Sequence, residues 1–279
     1  MQEQNEANNP AAPRLSPLTP PDGWTDRCAQ LGVSFEPGEV ERLGHYLALL
    51  LDENTRMNLT AIRDPAEAWE RHILDALTLL PVLGEVAPAP HENGEGADRV
   101  EMIDVGSGGG VPGIPLAIVL PSVNFTLLDS TAKKTAFLER TVKELGLTNV
   151  RVVTGRAEAL GQDRGERVAQ GRTGGFRDRF DAVIARAVGR MATLAEITVP
   201  MARVGGLVVM IKGQKADEEL TEAKAALHLL HAAHSGTIDT PTGRVVVLEK
   251  LRNTPRDYPR KDGEPKRVPL GVAPAPKQR

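Results

Sequence analysis

The chain has 279 residues, of which 41% are hydrophobic and 25% charged, with a net charge of −3 at pH 7. That length buries a sizeable core in an ordinary globular composition. A single cysteine, Cys28, excludes an internal disulfide and a cysteine-rich zinc site, and fits a reducing cytosol. The start, MQEQNEANNPAAPR, lacks the charged head and apolar run of a secretory signal. No stretch approaches the roughly 20 apolar residues that span a bilayer. A cytoplasmic location is the expectation.

Residues 1–23 hold five prolines and few apolar groups, which predicts a disordered arm. From Pro37, Val40, Leu43, Leu47 and Leu50 recur at helical spacing. Asp64-Pro65-Ala66-Glu67 opens a second helix, with Asp as N-cap, Pro at N1 and Glu at N3. Its apolar face is Trp69, Ile73, Ala76, Leu77 and Leu80, and Pro81 stops it. Residues 37–84 thus form a helical cap, and 84–98 a Gly/Pro/acidic linker.

After Arg99, strand-length apolar runs alternate with helical segments. Strands are predicted at 100–105, 124–129, 149–154, 180–184, 206–212 and 244–251, and helices near 113–120, 131–145, 189–202 and 215–231. Such alternation makes a mostly parallel, doubly wound α/β sheet. The end departs from it. HSGTIDTPTGRVVVLEK reads as two strands around a turn, a terminal antiparallel hairpin. Residues 161–179 are a polar Gly/Arg-rich insertion with no core stripe. One domain, 24–251, with its α/β core at 99–251, is followed by a tail, 252–279, that carries eight Lys/Arg against three acids. A basic tail on an acidic body suits either a phosphate contact or a solvated tail.

The stretch DVGSGGGVPGIPLA, 104–117, lies between a strand and a helix. It spells G-x-G-x-x-G from Gly108 through Gly110 to Gly113, the dinucleotide fingerprint. It also spells D-x-G-x-G-x-G from Asp104 through Gly106 and Gly108 to Gly110. Pro112 has no N–H for a pyrophosphate, and the Gly108 frame begins late after the strand. The Asp104 frame is favoured, with a cofactor held by its amino-acid and nucleoside parts. The plainer alternative is a structural turn. Asp129, closing the second strand, is placed to accept ribose hydroxyls or to cap the helix that begins near Thr131. Arg156-Ala157-Glu158 follows the third strand, where an adenine would lie. Arg186 ends the fourth strand, which begins near Asp181, and Lys212 ends the fifth. His72 reads as a hydrogen-bonded structural histidine. His228, His231 and His234 have no accompanying carboxylate, so no metal is expected.

In family order the chain carries NLTAI at 58–62, RHILDAL at 71–77, IDVGSGGGVPGIPLAI at 103–118, LLDSTAKKTAFL at 127–138, NVRVVTGRAE at 149–158, FDAVIARAV at 180–188 and GGLVVMIKG at 205–213. On these motifs, over about 54–270, it resembles the RsmG (GidB) family of bacterial 16S rRNA guanine-N7 methyltransferases. The resemblance implies a Rossmann-like fold and S-adenosylmethionine as cofactor, held by Gly106, Val111, Asp129, Ser130, Thr131, Ala157, Glu158 and Arg186. Asp104 stands where related enzymes hold the methionine amino group. It also implies a guanine target in the decoding-centre loop of helix 18, within the 30S subunit or an assembly intermediate, and a monomeric enzyme. Val111 is smaller than the family's usual residue, and the insertion and both tails are longer than usual. Candidate RNA contacts are Arg56, Arg63, Arg190, Lys212 and Lys215, with Arg256, Arg260, Lys261 and Lys266 in the tail. The rivals are a methyltransferase for another RNA or a small molecule, a nicotinamide-dependent dehydrogenase, and a non-enzymatic RNA-binding protein.

Overall fold

The computed structural model describes residues 15–86, 88, 99–168, 171–186 and 189–271. Five helices form the N-terminal cap: α1 (Trp24–Gln30), α2 (Glu39–Asn54), α3 (Pro65–Ala68), α4 (Asp75–Leu77) and α5 (Leu80–Leu83), with a π-helical turn at Trp69–Leu74. The core then runs β1 (Glu101–Val105), α6 (Gly113–Val119), β2 (Asn124–Asp129), α7 (Ala132–Glu144), β3 (Val150–Thr154) and α8 (Ala157–Leu160). A short hairpin follows, β4 (Glu166–Val168) with β5 (Gly171–Thr173). The chain continues as β6 (Phe180–Arg186), α9 (Met191–Thr198), β7 (Ala202–Lys212), α10 (Ala216–Leu230), β8 (Ala232–Thr240), β9 (Gly243–Lys250) and α11 (Glu264–Arg267).

The main sheet has the order β3-β2-β1-β6-β7-β9-β8. Its first five strands are parallel, and β9 runs antiparallel to both β7 and β8. Side chains alternate across it, as a pleated strand requires. Ile184, Val245 and Val247 join the core under the cap, α6 and α7, whereas Val183, Val246 and Leu248 join the core under α9 and α10. From β1 the chain winds outward to β2 and β3, then returns to place β6 on the other side. The ligand crevice of a doubly wound sheet opens at this reversal, beyond the strands' C-terminal ends.

The predicted cap signals form as read. The Asp64 carboxylate accepts the Glu67 N–H at 2.8 Å, and Pro65 sits at N1. Four expectations need correction. Pro81 does not stop the helix: α4 ends at Leu77, and Pro81 lies in the first turn of α5, where a missing N–H costs nothing. Within the 1–23 arm, residues 15–23 are packed: the Leu18 N–H donates to the Gly44 carbonyl at 3.1 Å. Gly44 makes that approach possible, since a Cβ there would stand 2.2 Å from the Leu18 oxygen. Residues 1–14 lie outside the described residues, as does most of the 84–98 linker. The 161–179 insertion forms the β4–β5 hairpin, then buries Arg177 and packs Phe176 against the core. The described part of the tail, 252–271, is docked, with Thr254, Pro259, Pro265 and Leu270 buried. The packed unit therefore extends past 251.

Candidate functional site

The glycine loop leaves β1 at the reversal point. Gly106, Gly108 and Gly110 all have left-handed φ, at 80°, 56° and 100°, a conformation that glycine adopts without steric cost. These are the glycines of the Asp104 frame. A Cβ on Gly106 would meet nothing within 4 Å, and one on Gly108 only the Gly106 oxygen at 3.8 Å. Their upper side is open. Gly109, Gly110 and Gly113 serve packing instead: a Cβ on Gly110 would stand 2.6 Å from Ile114. A Cβ on Gly109 would stand 2.7 Å from Leu50, and one on Gly113 2.3 Å from Leu127. The G-x-G-x-x-G spelling therefore has no ligand-facing third glycine. Pro112 caps α6, so Val111-Pro112-Gly113 is the helix start.

The loop is pinned from below and behind. The Gly106 and Ser107 N–H groups donate to the Leu128 carbonyl at 2.8 and 3.0 Å. The Tyr46 hydroxyl, reaching from α2, donates to the Gly109 carbonyl at 2.9 Å. Asp129 joins loop to helix: Oδ2 accepts the Gly108 N–H at 3.0 Å and Oδ1 the Thr131 N–H at 2.8 Å. The second bond ties Asp129 to Thr131, the N-cap residue of α7, and each carboxylate oxygen keeps a second lone pair.

Asp104 lies fully buried beneath the loop. Its Oδ2 accepts the Gly113 N–H at 3.2 Å, while Oδ1 has no hydrogen-bond partner. Burial pushes its carboxyl up to about 7. An orphaned buried oxygen below an open glycine cradle suits a ligand that brings a cationic donor.

Arg186, at the end of β6, ties the cap to the sheet. Its Nε lies 3.3 Å from Asp75 Oδ2, Nη1 lies 3.2 Å from His72 Nδ1, and Nη2 donates to the Arg71 carbonyl at 2.6 Å. A guanidinium only donates, so His72 Nδ1 accepts and its Nε2–H donates to Thr60 Oγ1 at 2.9 Å. Burial, aided by the guanidinium, lowers His72 to about 4, so its ring is neutral near pH 7. Thr242, at the tip of the β8–β9 hairpin, donates its hydroxyl to the other Asp75 oxygen. Tyr46, Thr60, Asp75 and Thr242 were not singled out from the sequence. The RHILDAL motif contained Asp75, but nothing in it indicated partners more than 100 residues away.

Ser130 is exposed beside Asp129, and Glu158 is buried. Of the cations read as RNA contacts, Arg63, Arg190, Lys215, Arg256, Lys261 and Lys266 are exposed. Arg190 and Lys215 precede α9 and α10 on the edge of the sheet where the crevice opens. Lys212 and Arg260 are corrected. Lys212 is buried, its Nζ 2.6 Å from Glu219 and 2.8 Å from the Gly189 carbonyl. Arg260 forks onto the buried Glu196 at 2.8 and 2.7 Å. Burial and pairing use up both charges. Arg56, although exposed, pairs with Asp52 and Glu53. Among the described residues no group of three or more His, Cys, Asp or Glu is placed to hold a metal, and no helix is long and apolar enough to cross a membrane.

The sheet order, the reversal point and the D-x-G-x-G-x-G loop together define a Rossmann-like methyltransferase fold. The family model described as rRNA small subunit methyltransferase G (GidB) matches residues 39–243. Two relatives, each named ribosomal RNA small subunit methyltransferase G, are similar over most of their length. One from Sorangium cellulosum is 45% identical over 247 residues, covering 88% of this chain and 95% of its own. One from Streptococcus pyogenes is 38% identical over 245 residues, covering 86% and 94%. The chain belongs to the rRNA small subunit methyltransferase G family, whose members use S-adenosylmethionine. A solved rRNA methylase from Streptococcus thermophilus is 18% identical with a TM-score of 0.40, covering 62% of this chain and 93% of its own.

Proposed function

We propose that this chain transfers the methyl group of S-adenosylmethionine to N7 of a guanine in 16S rRNA, in the decoding-centre loop of helix 18. The observation that carries the cofactor assignment is the cradle: two left-handed glycines, Gly106 and Gly108, with an open upper side, above the orphaned Asp104 oxygen and beside Asp129. When bound, the cofactor supplies an electrophilic methyl on a sulfonium. The residues fit the rest of it. Asp104 receives the ammonium, Asp129 the ribose hydroxyls, and the loop at Ala157 and Glu158 the adenine end. Gly106 and Gly108 keep side chains out of its way, Gly110 lets the loop turn back onto α6, and Val111, Ser130 and Thr131 flank it. Arg186 closes the far side of the crevice, joining sheet to cap.

Guanine N7 has an in-plane lone pair and no proton at neutral pH. The enzyme therefore has to align the base, not deprotonate it. Such positioning supplies about 7–11 kcal/mol of a barrier. The base must be reachable, which favours a loop or a partly assembled particle over continuous duplex. The substrate is therefore the 30S subunit or an assembly intermediate, acted on by a monomer in the cytoplasm. Arg63, Arg190, Lys215, Arg256, Lys261 and Lys266 hold the RNA backbone.

The test is methyl transfer in vitro to 30S subunits, deproteinised rRNA and small metabolites, followed by N7-specific chain cleavage and primer extension. A single stop in the helix 18 loop supports the reading. Transfer elsewhere, or binding of NAD in place of S-adenosylmethionine, overturns it.

A further inference from the structure

The last described residues wrap around the outside of α8, the single helical turn after β3. Three carbonyls on this path, with that of Gly161 at the end of α8, converge on one buried guanidinium. Arg177 donates to Gly161 at 2.8 Å, Thr254 at 2.6 Å, Pro255 at 3.1 Å and Tyr258 at 2.6 Å. Gln162, just past α8, donates to the carbonyls of Arg256 and Pro259 at 3.0 and 2.8 Å. Arg260 is anchored on Glu196, and Pro265 accepts from Thr193 at 3.0 Å. So fixed, the segment delivers two groups to the front of α8. The Gly263 N–H donates to Glu158 Oε1 at 3.1 Å. Asp262 lies 2.5 Å from Arg156, which itself donates to the same Glu158 oxygen at 3.1 Å. Glu158 thus faces the C-terminal segment, beside a cavity of about 540 Å³ between it and α8.

We propose that the C-terminal segment is a working part of the cofactor site. By clamping Glu158 from outside, Asp262 and Gly263 fix the backbone of the Ala157–Glu158 loop, and so set the affinity for the nucleoside end. This rests on the cofactor assignment above. Glu158 is then a positioning residue. A four-residue helix is too short to hold its own geometry, so the loop after β3 depends on what is packed behind it.

The probes are S-adenosylhomocysteine and 5′-methylthioadenosine, which keeps the nucleoside and lacks the amino acid. Calorimetry is run on the full chain, with thermal melting in parallel. Asp262→Arg, at an exposed site, repels Arg156 and opens the clamp. It should weaken both ligands by the same factor, about fivefold or more, at unchanged melting temperature. In a Glu158→Ala background it should add nothing, and Glu158→Gln, which keeps an acceptor for Gly263, should bind more tightly than Glu158→Ala. Arg252→Ala, at an exposed position of the same segment ten residues before Asp262, should bind like wild type. The proposal is overturned if Asp262→Arg binds like wild type, if its effect persists in Glu158→Ala, or if it spares methylthioadenosine. A wild-type chain that binds neither ligand sinks the cofactor assignment and this inference together.

Discussion

The hydroxyl of Tyr46 donates to the carbonyl of Gly109 at 2.9 Å, across 63 residues of chain. This bond fastens the helical cap to the underside of the glycine loop, where Leu50 also presses against Gly109. Tyr46→Phe keeps the ring and leaves a buried carbonyl without its donor, at a cost of about 1–3 kcal/mol. Thermal melting should register that loss. Calorimetry should find S-adenosylhomocysteine bound more weakly, because the loop has lost a restraint. Unchanged affinity would place the bond outside the site.

The glycines separate into two kinds by substitution. Gly106→Ala puts a methyl into open space at a left-handed φ, costing about 1–2 kcal/mol; the protein should stay folded and lose cofactor affinity. Gly113→Ala drives a Cβ to 2.3 Å from Leu127 and 2.9 Å from Asp104. Overpacking of that kind costs about 1–3 kcal/mol or more, and the fold itself should weaken. Circular dichroism melts beside calorimetry distinguish the two outcomes.

Cofactor affinity should rise with pH up to about 7 and then level off. Asp104 is raised from 3.8 to about 7 by burial, whereas the ammonium proposed to meet it prefers the carboxylate. Below pH 7 binding must expel a proton, and Kd should worsen by about tenfold per unit. Asp104→Asn should bind weakly at every pH without that slope. In the free protein the sign reverses. The raised carboxyl binds more protons folded than unfolded, so its contribution to stability is present at acid pH and is lost as pH climbs through about 7.

His72 acts in the opposite sense. Held neutral down to about 4 against an ordinary 6.5, it binds fewer protons folded than unfolded. Its contribution is full above about 6.5 and disappears as pH falls toward 4. Replacing it by Gln should flatten the acid limb of a melting-temperature profile. An unaltered profile would mean that His72 titrates alike in the folded and unfolded chain.

RNA contact and cofactor binding should separate. Arg190→Ala with Lys215→Ala removes two exposed cations that cap α9 and α10. Methylation of 30S subunits should fall and its salt dependence become shallower by about two phosphate contacts, with S-adenosylhomocysteine affinity unchanged. Loss of cofactor binding in the pair would move these residues into the crevice.

The sheet was readable because apolar runs announce strands, and the predicted ends fall within a few residues of those found. The loop's frame was readable from Pro112, which has no N–H to give. The docked C-terminal segment was not. Its anchors are backbone carbonyls gathered by Arg177, and a carbonyl carries no residue identity. Arg260 looked like a free cation because its partner, Glu196, sits 64 residues earlier on a helix face. Helix α1, seven residues long, was too short for a periodic signal. Tyr46 resembled any core residue of α2, since only its hydroxyl touches the loop.

Asp75 and Thr242 stand 167 residues apart in the chain, His72 and Arg186 114 apart, and Glu158 waits for a donor 105 residues downstream. A ribosome releases the cap first and its partners last. While the chain is being made, the cap closes early onto the glycine loop through Tyr46, but its contacts with β6 and the β8–β9 hairpin, and the backing of the loop after β3, come late. Closure of such distant contacts is slow compared with local helix formation. The crevice is therefore completed only once synthesis is nearly over, and a chain truncated near the hairpin would lack the Thr242 and Gly263 contacts that back Asp75 and Glu158.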